Sequence, residues 1–365
     1  MKAIDLQPIY DPAKTYQDNF DNGPFGDFAN QDVYQNQGEP QYSFLGYPIY
    51  APFGIPAGTL PNSRYVTAAL RKGYDVVCYK TQRSVKFDCN EFPNVVYVDI
   101  DGDLTLEKAA QPLVGSQTTD RDAAAITITN SFGNPSKGPD FWVDDLRQAV
   151  ASEGKGQLVI ISVVGTVQPG FTDEDYFDDF ATTAKLALAT GVKAIEINLS
   201  CPNVANEGIL CYTPSAVEAI CQKVKAAIGD VPLIAKVGYY SQEQQSLLVT
   251  IVKAMSPHVA AISAINTISA PVVDGKGQQA LPGPNRLKSG MCGASIKWAG
   301  LDMVKRLAAL RISLGLNYEI IGVGGVMSPK DFTEYRTAGA DVVQSATGAM
   351  WNPGLAAEVK ASLGQ

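Results

Sequence analysis

Ile195-Glu196-Ile197-Asn198-Leu199-Ser200-Cys201-Pro202-Asn203-Val204 is an alternating apolar run that stops at a cluster of polar and reactive side chains. Ile195 and Ile197 flank Glu196, a period of two that predicts a buried strand, and Pro202 ends it because proline brings no N–H to a sheet ladder. Asn198, Ser200, Cys201 and Asn203 therefore stand at the carboxyl end of that strand. Ligands of α/β proteins bind at that end, at switch points in open sheets and at the upper face of barrels.

The same alternation extends in both directions. Downstream of an insertion it predicts a helix to about 153, then strand 157–164, helix 173–190, strand 194–199, helix 214–228, strand 232–237, helix 242–255 and strand 260–266. A broken loop to about 293 precedes helix 295–314, strand 319–323, helix 329–338, strand 341–345 and a final helix. Upstream, a hairpin at Leu45-Gly46-Tyr47-Pro48 leads into a strand that ends at Gly58. A short helix, about 63–72, is followed by an apolar strand from Tyr74 that Lys80 terminates. Eight strands alternating with helices predict an α/β protein of (β/α)8 TIM-barrel class, with a doubly wound open sheet as the alternative. A long insertion after strand 2, about 81–137, interrupts the pattern. Residues 1–43 form an N-terminal extension rich in Asn, Asp, Gln, Gly and Tyr, expected to wrap the surface or stay mobile. Residues 44–365 read as one catalytic domain.

Composition excludes several functions. With 365 residues, 45% of them apolar and 18% charged, the chain is long enough for a large core. A net charge of −8, without a cluster of Lys and Arg, argues against a nucleic-acid partner. No run of 18 apolar residues occurs, so no spanning helix is expected. The acidic N-terminal stretch (Asp5, Asp11, Asp18, Asp21, Asp27, Asp32 and Glu39) has neither the composition of a transit peptide nor the apolar core of a secretory signal, which points to the cytoplasm. Six cysteines (Cys78, Cys89, Cys201, Cys211, Cys221, Cys292) form no Cys-x-x-Cys pair, and His258 is the only histidine, so no metal site is expected.

Rare side chains recur at one end of successive strands: Ala57 and Gly58, Lys80, Asn198, Lys236, Asn266, Gly324-Gly325 and Ala346-Thr347. In a barrel they surround one mouth. Any one of them has an ordinary explanation, such as a turn cap for Asn198 or a tight turn for Gly324. Their recurrence at one face does not. Gly322-Val323-Gly324-Gly325-Val326 after strand 7 and Ser345-Ala346-Thr347-Gly348 after strand 8 occupy the place where barrels bind phosphate through backbone N–H groups and a helix N-terminus. Lys236 lies one residue inside the end of an apolar strand, where an ammonium needs a negative partner. Asn130, Asn198, Asn203 and Asn266 with Thr267 offer donors and acceptors suited to a planar ring of alternating N–H and C=O groups.

The run Asn198-Leu199-Ser200-Cys201-Pro202-Asn203 resembles the catalytic loop of dihydroorotate dehydrogenases, in particular the soluble, FMN-dependent, cysteine-base class (class 1, most like 1A). Asn130-Ser131-Phe132-Gly133-Asn134-Pro135 is similar to that family's Asn-Ser-Met-Gly-Leu-Pro substrate loop, from which Phe132 and Asn134 depart. The resemblance implies oxidation of dihydroorotate to orotate in pyrimidine biosynthesis, with FMN as cofactor, fumarate as electron acceptor and a homodimeric assembly. It further implies that Ala57, Gly58, Lys80, Thr81, Asn130, Asn198, Lys236, Ile265, Gly293, Gly324, Gly325, Ala346 and Thr347 hold the flavin. Substrate would contact Lys80, Asn130, Phe132, Gly133, Asn134, Asn198, Asn203, Asn266 and Thr267.

Lys236 is then the cation that stabilises the reduced flavin ring. Cys201 is the catalytic base, since the ring must lose a proton from one carbon while hydride leaves the other for flavin N5. A thiol of unperturbed pKa near roughly 8.5 serves this best at alkaline pH. Residues 202–212, with Gly208, can cover the site as a lid. Two other readings stay open: a flavoenzyme like dihydropyrimidine dehydrogenase, and a flavin-free, phosphate-binding barrel isomerase or lyase.

Overall fold

Parallel strands buried on both faces have to be apolar along nearly their whole length, and positions 158–163, 194–198 and 233–237 largely meet that demand. The computed structural model describes residues 1–200 and 210–365. Eight parallel strands close into a barrel: β1 (Phe53–Ile55), β2 (Val76–Gln82), β3 (Leu158–Val163), β4 (Ala194–Asn198), β5 (Leu233–Val237), β6 (Ala261–Ala264), β7 (Glu319–Val323) and β8 (Val342–Gln344). Closure comes from β8 pairing with β1, Val343 opposite Phe53. The outer ring is α1 (Ser63–Arg71), α2 (Pro139–Ala151), α3 (Asp173–Leu188), α4 (Pro214–Ile228), α5 (Gln245–Met255), α6 (Lys297–Ser313), α7 (Pro329–Ala338) and α8 (Leu355–Ser362). This is the (β/α)8 barrel that the alternation predicts. Local chemistry marks the helix starts, with Asn62 capping α1, a Thr172–Asp175 capping box on α3, and proline in the first turn of α4 and α7.

Alternate residues of each strand point inward. The lower interior is apolar: Val76, Leu158, Ala194, Ile234, Ala261, Ile321 and Val342 pack against Phe44 and Ile49. Those two residues belong to a hairpin, Tyr42–Phe44 with Tyr47–Ile49, that plugs the amino-terminal end of the barrel. Its turn uses positive φ at Leu45 and Gly46. Above the plug the interior turns polar. Glu196 stands beside Ser162 of β3, and Lys236 beside Asn198 of β4 and Ser263 of β6. Ile195 and Ile197 face the other way, into the core between strands and helices.

Three expectations need correction. The segment after β6, expected as a broken loop, forms strands Ile268–Val273 and Lys288–Gly293. These join Tyr97–Val98, Leu113–Ser116 and Thr127–Asn130 of the insertion in a second, five-stranded closed sheet. Each piece is short, and the two segments meet across more than a hundred residues, Gly290 opposite Asn130 and Val272 opposite Leu113, so no local period announces the sheet. Lys80 does not end its strand, because β2 continues to Gln82. The final helix is two, Thr347–Trp351 and α8.

Residues 1–41 pack against the barrel rather than trailing from it. Ala3, Ile9, Tyr10, Tyr16, Phe20 and Phe28 join the main core, and a helix at Tyr16–Asn22 is capped by Thr15. The aromatic residues carry this packing without helical or strand periodicity, which is why no pattern revealed it. No helix among the described residues is long and apolar enough to cross a membrane.

Beneath the barrel, Lys360 of α8 pairs with Asp75 at 2.8 Å, both side chains essentially inaccessible, and reaches Asn36 Oδ1 of the N-terminal segment at 2.6 Å. Burial pushes the Asp75 carboxyl up to about 6 against the pull of Lys360. A carboxyl whose folded pKa lies above its unfolded value adds most stability below the unfolded value and loses it as pH rises through the folded one. Lys360→Met raises that pKa further, so the variant should lose about 3–5 kcal/mol at pH 7 and clearly less at pH 5, where Asp75 takes a proton. Urea melts at the two pH values check this; equal losses would show that the pair is not what the variant disturbs.

Candidate active site

Two adjoining cavities lie at the carboxyl ends of the strands. The larger encloses about 810 Å³ and the smaller about 420 Å³. Ala57, Gly58, Asn130, Phe132, Lys236 and Asn266 line both, so these residues form the junction.

The larger cavity is walled by loop backbone and apolar side chains. Gly58, Gly293, Gly324 and Gly325 all have positive φ, which glycine adopts without strain. Crowding adds to this at Gly325, where a Cβ would lie 2.6 Å from the backbone nitrogen of Lys297. The Tyr335 hydroxyl donates to Gly324 O at 2.6 Å, and Ser345 Oγ donates to Val326 O at 2.6 Å while accepting from Ala349 N at 3.1 Å. These bonds tie the loops after β7 and β8 together beside Ala346 and Thr347, both of which line the cavity with Ile265 and Gly293. The hydroxyls of Thr59 and Thr267 on the same wall are buried and find no partner among the described residues.

The smaller cavity adds Lys80, Thr81, Asn134 and Asn198. Lys80 and Thr81 are consecutive, yet both line it. The register between β2 and β3 explains this: Tyr79 pairs with Ile161 and Gln82 with Val163, so a bulge at Lys80–Thr81 turns two neighbours to one side. Asn198 Oδ1 accepts from Ser200 N at 3.2 Å and from Asn266 Nδ2 at 3.3 Å. Asn266 Nδ2 also reaches Ser200 O, and its Oδ1 accepts from Thr267 N at 3.0 Å, which fixes the orientation of both amides. Lys236 is 5% exposed and makes no ion pair among the described residues. In the layer below, burial raises the Glu196 pKa, opposed by Lys236 and by the Ser162 and Ser263 hydroxyls.

Most of the residues singled out in the sequence meet at these two cavities. Gly133 lines neither; its carbonyl turns to Arg83 Nη2 at 3.5 Å. Cys201, Asn203 and most of the suggested lid lie outside the described residues. Sequence reasoning missed Tyr10 and Thr59, and it missed Cys292, whose thiol burial pushes up to about 11 despite Thr347 and Lys236. It also missed Arg83. That fully buried guanidinium holds the 130–135 loop through Asn134 O at 2.9 Å and the loop after β3 through Gly165 O at 2.9 Å and Thr166 Oγ1 at 3.0 Å, and stacks on Phe87 at 4.1 Å. Only its place just past β2 hinted at a role.

Arg83→Lys should cost about 2–3 kcal/mol, because an ammonium cannot reach both loops and leaves buried carbonyls without donors. Hydrogen exchange should show faster opening at 130–135; unchanged protection there would mean the loop is held by other contacts.

Residues 113–365 match the family model for dihydroorotate dehydrogenase. The chain is 36% identical over 359 residues to a dihydroorotate dehydrogenase of Dictyostelium discoideum, covering 96% of each. It is 31% identical to the dihydroorotate dehydrogenase A (fumarate) of Limosilactobacillus reuteri (strain DSM 20016) over 200 residues, 53% of this chain and 59% of the relative. Among solved structures, DHODH in complex with ferulenol from Eimeria tenella shares the fold, with a TM-score of 0.69 at 16% identity over 91% of this chain and 85% of that one. The family model over residues 113–365 and the 36% identity along 96% of the chain lead to one conclusion: this chain belongs to the dihydroorotate dehydrogenase family.

Proposed function

We propose that this chain oxidises dihydroorotate to orotate with FMN as its cofactor and fumarate as the electron acceptor, acting as a cytoplasmic homodimer whose FMN-binding barrel is 44–365. The observation that carries the reading is the junction of the two cavities. A glycine-walled, largely apolar cleft suits a flat ring and its phosphate tail, and it opens across shared residues into a pocket of lysines and amides. A sugar-phosphate isomerase would need the anion site but has no use for the long apolar cleft.

The residues present fit FMN. Close backbone approach at Gly293, Gly324 and Gly325, unpartnered hydroxyls at Thr59 and Thr267, and a buried ammonium at Lys236 are what an anionic, hydrogen-bonding flat ligand requires. In this reading Gly324, Gly325, Ala346 and Thr347 hold the phosphate. Ala57, Gly58, Thr81, Asn130, Asn198, Ile265 and Gly293 hold the ring, with Lys236 as the cation beside it and Lys80 facing both ligands. When bound, FMN supplies the two-electron acceptor that takes hydride as the ring C–C single bond of dihydroorotate becomes double.

The chain's own residues do the rest. Lys80 neutralises the substrate carboxylate, and Asn130, Asn198, Asn203, Asn266 and Thr267 orient the ring by pairing with its N–H and C=O groups. Phe132 and Asn134 form the wall. Cys201, three positions past Asn198, takes the ring proton as thiolate. The fumarate assignment is supported by the similarity to the relative named for that acceptor.

Purified protein should be yellow, lose its visible absorption on adding dihydroorotate, and recover it with fumarate but not with NAD or quinone; a colourless yet active preparation would end the reading. Cys201→Ser should keep its flavin and slow flavin reduction by on the order of 10²–10⁴, with partial recovery at high pH, whereas reduction at the wild-type rate in stopped flow would remove Cys201 as base. Lys236→Ala should bind flavin more weakly or lower its reduction potential, and unchanged flavin content together with an unchanged potential would make Lys236 structural.

A further inference from the structure

We infer that the N-terminal segment is part of the active site, with Tyr10 and Tyr16 as positioning residues that hold Phe132 against the substrate pocket. The inference rests on the function proposed above. Tyr10 meets the Phe132 ring edge-on at a centroid distance of 5.5 Å and 89°, and Tyr16 meets it at 6.0 Å and 63°. Both tyrosines are buried, and Tyr10 itself lines the larger cavity. Phe132 lines both cavities, so where its ring sits sets the shape of the junction.

The loop that carries Phe132 does not hold that ring unaided. It passes through positive φ at Gly133 and Asn134, and the Phe132 carbonyl is held by Asn90 N at 3.0 Å. Among the described residues, the rings that its side chain meets are those of the two tyrosines. The tyrosines are in turn anchored on both flanks: Ile9 N donates to Met350 O at 2.9 Å in the helix after β8, and Lys137 bonds Gln17 and sits 4.7 Å from the Phe20 ring. The N-terminal segment thus bridges the loop after β8 and the substrate loop. A flexible methionine, as in the family loop, fills space in many ways, whereas a phenyl ring needs fixed edge-to-face neighbours.

Orotate binding to the flavin-loaded protein, measured by calorimetry, tests this. Tyr10→Leu and Tyr16→Leu should each weaken orotate by about tenfold, with flavin content unchanged in Tyr16→Leu, while Tyr10→Phe and Tyr16→Phe stay within about twofold because the ring and not the hydroxyl acts. Phe132→Leu alone should weaken orotate by about tenfold, and in that background Tyr10→Leu should add less than about twofold, since it acts through Phe132. Tyr34→Ala loosens the same segment where it packs on Gly73 and the end of α1; it should lower Tm without changing orotate affinity. Unchanged affinity in the leucine variants or in Phe132→Leu, additive effects in the double variant, or equal weakening by Tyr34→Ala would each overturn the inference. A wild-type protein that binds flavin but no orotate would instead overturn the proposed function, and this inference with it.

Discussion

Closing eight parallel strands into a barrel sends every second residue of each strand into an interior that must be filled. This constraint organises the molecule. Phe44 and Ile49 fill the lower end together with the apolar inward residues of the strands. With that end sealed, the inward polar groups higher up can meet a ligand only at the mouth. Glu196, Lys236, Asn198 and Lys80 follow from the same period of two, Lys236 level with Asn198 and Glu196 one inward position below them. The polar layer is costly to bury, as the raised Glu196 pKa shows, and the nearby Lys236 offsets part of that cost.

The mouth is completed by chain that the barrel does not need for closure. The insertion after β2 and the segment after β6 pair into a second sheet, which supplies Asn130 and Gly293, while Thr267 directly precedes its strand Ile268–Val273. Two buried arginines hold this upper layer together. Arg286 donates to the carbonyls of Glu91, Pro93, Pro282 and Ser131, joining both segments, and Arg83 joins the 130–135 loop to the loop after β3. Guanidinium suits this work because its fixed fan of donors can satisfy several carbonyls at once. Gly290 permits the close pairing, since a Cβ there would lie 2.1 Å from Thr267 Oγ1.

Much of this was legible in the residues themselves. The alternation located the barrel strands and helices to within a few residues, because burial on both faces of a parallel sheet and on one face of a helix writes a period into the chain. Strand-end positions identified Ala57, Gly58, Lys80, Asn198, Lys236, Asn266, Gly324 and Thr347, all of which line the cavities. The loop motifs identified Asn130 and Phe132, which line the cavities, through the family resemblance, whereas Gly133, read from the same motif, lines neither.

The sequence by itself determined the fold class, the end of the barrel that carries the cavities and the residue types gathered there, because each of these depends on local periodicity or on a contiguous motif. Only the tertiary structure decided that β2 bulges at Lys80–Thr81, that residues 267–293 pair with the insertion, that Arg83 and Arg286 staple the loops, and that Tyr10 and Tyr16 reach Phe132 from far along the chain. Those features are contacts between segments far apart in the chain. Neither partner carries a period or motif that names the other, so they exist only once the barrel has brought both to its mouth.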